Sequence, residues 1–161
     1  MIPRLTHLHV RAFEGYMNAR LGPIYAAAFL RLFSRRDEAI ALVALLNGEV
    51  AGYVVGAPEG YASASNRALL PAGALAMLTR PWLLLSGQIW NGFWSRVRGM
   101  IGRSAPPSLS QAQTVIALVA IGVAPEAQGR RVGSALMQAF EHHARDREAQ
   151  LLFLDVFEEN Q

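Results

Sequence analysis

The chain of 161 residues contains neither cysteine nor lysine, so all fifteen of its basic residues are arginine. Without cysteine it can form no disulfide, no thiolate zinc site and no cysteine nucleophile. Without lysine it can hold neither a P-loop of the GxxxxGK[ST] kind nor a lysine Schiff base. Charged residues are also scarce, at 17% against 52% apolar. That balance belongs to a folded domain and not to a disordered chain. The length suits one domain with a substantial core and is too short for two ordinary ones. The uncharged run 81–95 is interrupted by Gly87 and Gly92, which leaves it short of a comfortable membrane span. No signal-like apolar run opens the sequence, so a cytoplasmic protein is expected. No internal repeat is visible.

Charge is uneven along the chain. Residues 1–113 carry eleven arginines against five acids, a net of +6, whereas 114–161 carry four against seven, a net of −3. No nucleic-acid motif accompanies the basic part, and its aromatics do not alternate with its arginines. Nucleic acid is therefore not an expected partner. An acidic substrate or an anionic lipid headgroup fits better.

The chain is organised around residues 114–141. Eight of the ten residues 114–123 are apolar, which predicts a strand covered on both faces. Pro125 closes it, since a central strand cannot spare an amide. From about Arg131 a helix is predicted, with Val132, Leu136, Phe140 and His143 on one face. Between strand and helix, Gly129 and Gly133 allow a sharp turn and a close approach to the backbone. The helix start adds unpaired amides and a positive dipole end, and Arg130 and Arg131 add charge. This is either an anion site suited to a phosphate or pyrophosphate, or an ordinary turn with glycines that serve the turn alone.

Residues 123–137, VAPEAQGRRVGSALM, resemble the acyl-CoA loop of the GNAT superfamily of N-acyltransferases. That family's pattern is Gln or Arg, two residues, Gly, one residue, then Gly or Ala. Gln128 and Gly133 match it, and Arg131 stands where the family usually has glycine. The resemblance implies that the amides of Gln128, Gly129, Arg130, Arg131, Val132, Gly133 and Ser134 hold the pyrophosphate of coenzyme A. It also implies that Ile121 and Val123 pair with the pantetheine arm; Arg131 can serve in the loop only with its side chain turned away from the cofactor. Acetyl-CoA is then the co-substrate, and no metal is called for.

Residues 39–57 read as a hairpin, two apolar runs joined by Asn47-Gly48-Glu49. Their second run, EVAGYV, is similar to the V-x-G-Y/F strand that precedes the cofactor strand in the family. The implied fold is α/β, a mixed central sheet of GNAT type with flanking helices, in one acetyltransferase-like domain over 1–161. The resemblance covers roughly 22–57 and 114–160.

The rest is read from pattern. Residues 4–36 are expected to be helical, with Ile24, Ala27, Ala28, Leu32 and Phe29 as an apolar stripe. Tyr16 and Tyr25 either line a cleft or pack. Residues 58–113 form a helical insertion rich in Trp and Arg, with helices expected at 72–79 and 82–101 and a flexible connector at 104–113. Its stretch 69–103 either packs on its own domain, meets a membrane interface through Trp82, Trp90, Phe93 and Trp94 with Arg80, Arg96, Arg98 and Arg103, or makes a homodimer. Residues 151–157 are a strand, which with the preceding strand and helix predicts a parallel crossover. In the family a helix beginning Asn-x-x-Ala-x-x-x-Tyr follows, and Asn160 resembles that asparagine. The tyrosine that protonates the thiolate, and the last strands, would lie past residue 161, as in a fragment, a truncated variant or a chain completed by another.

By resemblance the activity is transfer of an acetyl group to a primary amine of a small molecule, such as an amino sugar, by direct attack. The alternative is a non-catalytic acyl-CoA-binding or membrane-interface module, or an inactive fragment of such an enzyme. The base is not legible. Glu126 reads as a helix cap, His143 as a core histidine, and adjacent His142 and His143 cannot share a metal. His7 and His9 have no partner nearby in sequence, and Asp155, Glu158 and Glu159 read as a solvated end.

Overall fold

Asn47 and Gly48 both take positive φ, 53° and 82°, which is the type I′ geometry that matches the twist of paired strands. They join β1 (Ile40–Leu46) to β2 (Glu49–Pro58), with Leu46 opposite Glu49 at the end of the ladder. β2 then pairs antiparallel with β3 (Val115–Val123), and β3 pairs parallel with β4 (Leu151–Leu154). Strand order in this mixed sheet is β1-β2-β3-β4. The computed structural model describes residues 1–14, 17–58, 61–80, 82 and 114–154.

The chain falls into two compact units. The unit of residues 33–59 and 112–161 contains the sheet and α5 (Val132–Asp146). Val132, Leu136, Phe140 and Ala144 recur every four residues and bury one stripe of α5 against Ile40, Ala51, Val54 and Ile116. The first three are those the helical spacing picks out. The fourth is Ala144, whereas His143 points to solvent and its Nδ1 bonds the Ala139 carbonyl at 2.9 Å. The expected core histidine is thus a surface one.

Two glycines of β2 admit this helix. A β-carbon on Gly56 would overlap Cε2 and Cζ of Phe140, and one on Gly52 would lie 3.0 Å from Leu136 Cδ1 and 3.2 Å from Val132 Cγ1. At its far end, the Arg147 guanidinium donates to the Glu38 carbonyl at 2.6 Å, tying the residue after α5 to the approach to β1. The parallel β3–α5–β4 arrangement agrees with the sequence reading. β4 is described only as far as Leu154, and residues 155–157 of the expected strand lie outside the described residues.

The other unit, residues 1–32 and 60–111, is helical over its described part. It contains α1 (Ile2–Ala12), α2 (Met17–Arg20), most of α3 (Gly22–Ser34) and α4 (Tyr61–Thr79). The buried stripe of α3 is Tyr25, Ala26, Phe29, Leu30 and Phe33, and Ile24 faces solvent. Of the stripe expected at Ile24, Ala27, Ala28, Leu32 and Phe29, Phe29 is buried and Ala27, Ala28 and Leu32 are half-buried, so the buried stripe is rotated by about one residue. Tyr25 therefore packs, while Tyr16 lies outside the described residues. His9 is buried in α1 with its ring 4.9 Å from Phe13 and 5.4 Å from Phe29. Burial lowers its pKa to about 4.

α4 starts eleven residues earlier than the helix expected at 72–79, and it runs through Pro71. Proline removes the amide bond to the carbonyl four residues back, that of Arg67. Pro71 lies at the surface, where water can satisfy that carbonyl. Past α4, the Arg80 guanidinium donates to the Arg20 carbonyl at 3.1 Å and lies over Gly22, whose φ is +80°. Of the helix expected at 82–101, only Trp82 is among the described residues, and the connector at 104–113 lies outside them.

Candidate functional site

β3 carries one residue too many for its ladder. Val55 pairs with Ala120 and Gly56 with Leu118, so Val119 is bulged out. A strand alternates faces with period two, and one extra residue reverses the phase. Before the bulge Ile116 and Leu118 meet the α5 core, and after it Ile121 and Val123 do. Val119 itself is 44% exposed. The run 114–123 thus reads as apolar on both faces partly because its phase changes midway.

The backbone phase matters as much. Ala124 donates to the Ala51 carbonyl at 2.8 Å, and Gly122 and Ala120 follow it at two-residue spacing opposite Tyr53 and Val55. Ile121 and Val123 fall between these positions, opposite Val54 and Gly52. Their own N–H and C=O groups therefore face away from β2, towards the β4 side. Among the described residues, β4 pairs with β3 only from Val115 to Leu118. Among the described residues, the backbone groups of the two residues expected to pair with an extended ligand have no strand partner on that side.

From there the chain enters a short 3-10 turn, Pro125–Ala127. Ala127 is buried and its amide donates to Ala124 at 2.8 Å, which anchors the loop. Gln128 and Arg130 donate back to Pro125 and Ala127 at 3.3 and 3.4 Å. Their amides are thus shared with the loop itself, and their side chains are exposed. Gly129 turns the chain with φ +73°. Arg131 is the N-cap of α5 and takes the left-handed conformation, φ 62° and ψ 14°. Arginine carries a β-carbon that makes this region costly, so a glycine at the same position would relieve strain. The Arg131 side chain is exposed.

α5 begins without a side-chain cap and with no acidic residue in its first turn. Its first intrahelical bond runs from the Ala135 amide to the Arg131 carbonyl at 3.0 Å. The amides of Val132, Gly133 and Ser134 precede that ladder and point out of the helix start, at its positive dipole end. Val132 buries its side chain in the core and so contributes only backbone. At Gly133 a β-carbon would meet only Val123 Cγ2, at 3.6 Å. Among the described residues no close packing contact calls for a glycine there. The expected cap Glu126 lies instead in the 3-10 turn, six residues before the helix.

Acid–base groups are sparse around this loop. His142 is exposed and its Nδ1 lies 3.6 Å from Asp146. His7 is exposed, and His9 belongs to the other unit. The Tyr53 phenol is buried in β2, which pushes its pKa up and keeps it neutral. Among the described residues no cluster of three His, Cys, Asp or Glu side chains could hold a metal. Asp155, Glu158, Glu159 and Asn160 lie outside the described residues. Pattern reading missed the bulge, for which a uniformly apolar run carries no signal. It also missed the two β2 glycines, whose need appears only once α5 is docked.

A family model described as the acetyltransferase (GNAT) family matches residues 2–161. No curated protein matches the sequence significantly. Among solved structures, the chain is similar to the aminoglycoside N-acetyltransferase AAC(6')-Iy in complex with CoA, with 12% identity and a TM-score of 0.60 over 99% of this chain and 72% of that one. It is also similar to aminoglycoside antibiotic 6'-N-acetyltransferase AAC(6')-IG from Acinetobacter haemolyticus, at 9% identity, TM-score 0.59, and 99% and 75% coverage. A ribosomal-protein-alanine N-acetyltransferase from Brucella melitensis biovar Abortus 2308 aligns at 12% identity, TM-score 0.54, and 99% and 76% coverage. At such identities the likeness is one of fold.

Proposed function

Since the chain belongs to the acetyltransferase (GNAT) family, we propose that it moves the acetyl group of acetyl-CoA to a primary amine of a small molecule by direct attack. The observation that carries this reading is the uncapped start of α5. The amides of Val132, Gly133 and Ser134 lead the helix there, a few residues after Ile121 and Val123, whose backbone groups face away from β2. A pyrophosphate has the charge and the acceptor oxygens such a helix start binds. An extended pantetheine amide chain has the hydrogen-bonding pattern of a strand edge.

In this reading Gln128, Gly129, Arg130, Arg131, Val132, Gly133 and Ser134 hold the pyrophosphate, and Ile121 and Val123 bond the pantetheine arm. A backbone amide near Val123 polarises the thioester carbonyl and stabilises the tetrahedral oxyanion as the neutral amine attacks. The C–N bond forms, the C–S bond breaks, the amine nitrogen gives up a proton and the thiolate takes one. No side chain is assigned to the proton transfers.

We take the acceptor to be an amino sugar or its nucleotide-linked form, in a cytoplasmic setting. Aminoglycosides are named for two of the structural relatives. The net charge of +6 over residues 1–113 favours the anionic, nucleotide-linked form over a polycation. The test is calorimetric titration with acetyl-CoA against an ATP control, followed by turnover on a panel of amines. Micromolar binding specific to the CoA compound, with turnover on an amino sugar, supports the reading. Absence of CoA binding would overturn it.

A further inference from the structure

α4 buries Ser65, Leu69 and Ala76 on one side. At 100° per residue the other side carries Leu70, Ala74 and Leu78, with Pro71 and Leu75 beside them. Leu70 and Leu75 are each 50% exposed, Leu78 78%, and Trp82, just past the helix, 62%. A helix on a water-facing surface places polar residues there, yet Arg67 is the one charged residue of α4. Charge over the surrounding sequence has a single sign. Between Glu59 and Glu126 there is no acidic residue, and there are five arginines: Arg67, Arg80, Arg96, Arg98 and Arg103.

We propose that the exposed face of α4 seats on an anionic lipid bilayer. Leucine and tryptophan beside arginine, without acids, is the composition of a helix that lies in the membrane interface. Arg67 and Arg80, with no acidic residue from 61 to 82, complement a leaflet of anionic headgroups. Among the described residues no helix is long and apolar enough to cross a membrane. The proposal stands apart from the acetyl-transfer reading and does not depend on it.

The experiment is cosedimentation of the whole chain with vesicles of phosphatidylcholine alone and of equal parts phosphatidylcholine and phosphatidylglycerol, at low and high salt. Retention on the anionic vesicles at low salt is expected, with loss at high salt. The Leu75→Asp/Leu78→Asp variant should lower retention by roughly tenfold or more while keeping the thermal midpoint, since both side chains are at least half exposed. Arg67→Glu, a milder surface change, should weaken binding to the anionic vesicles without changing the thermal midpoint. No retention on anionic vesicles, or equal retention of the leucine variant, overturns the proposal. So does a dimer, seen by analytical ultracentrifugation, that the leucine variant dissociates, because the face then belongs to a second copy.

Discussion

The ring of Phe140 lies against the Cα of Gly56, so close that no β-carbon fits between them. Phe140 is buried and Ala117 O presses on the same spot. Helix α5, which carries the loop at its start, is thereby seated on β2.

Gly56→Ala should therefore destabilise the protein by about 1–3 kcal/mol through overpacking. Phe140→Ala should cost about 3–5 kcal/mol through the cavity it leaves. Urea denaturation measures both. Combining Gly56→Ala with Phe140→Leu should recover part of the loss, since the clash is with the far edge of the ring. Strict additivity would mean that the two residues do not compete for one space.

Arg131 holds φ 62° as the N-cap of α5. Arg131→Gly should stabilise the fold by about 1 kcal/mol by releasing left-handed strain. Arg131→Val, with a branched β-carbon, should destabilise it. Thermal or urea melts that show no gain for the glycine variant would place the strain elsewhere.

Among the described residues, a β-carbon at Gly133 would meet only Val123 Cγ2, at 3.6 Å. Gly133→Trp should leave the melting temperature nearly unchanged and abolish CoA binding by calorimetry. Wild-type affinity in that variant would remove the pyrophosphate from this loop.

His9 is buried, and its pKa is lowered to about 4 from 6.5. The unfolded chain takes up a proton below about pH 6.5 that the folded chain refuses until about pH 4. Stability should be intact above pH 6.5 and fall through that window, by about 3 kcal/mol in total. His9→Phe should flatten this part of the stability–pH curve. A wild-type slope in the variant would assign the titration to other groups.

How much of this is legible in the sequence depends on whether a feature is local. The hairpin turn is legible because Asn47 and Gly48 are the residues that accept positive φ. The loop and the start of α5 are legible because proline, glycine and a four-residue apolar repeat mark them. Continuity of α4 through Pro71 is not, because proline counts locally as a breaker and only its surface position makes it tolerable. The stripe of α3 and the exposure of His143 are not legible either. Several stripes of similar apolarity compete on each helix, and packing partners far away in sequence select one. The loop follows β3 directly in sequence, so its place beside Ile121 and Val123 is a local matter, whereas groups that move protons carry no local mark.

The bulge at Val119 divides one strand into two segments of opposite phase. Anyone grafting this loop onto another sheet, or replacing β3 with a regular strand, would meet that as a parity problem. A straight donor strand of equal length would turn Ile121 and Val123 outward and swing their backbone groups onto β2, with every loop residue still present. The portable unit is therefore the irregular strand together with the loop, and the turn sequence alone would arrive facing the wrong way.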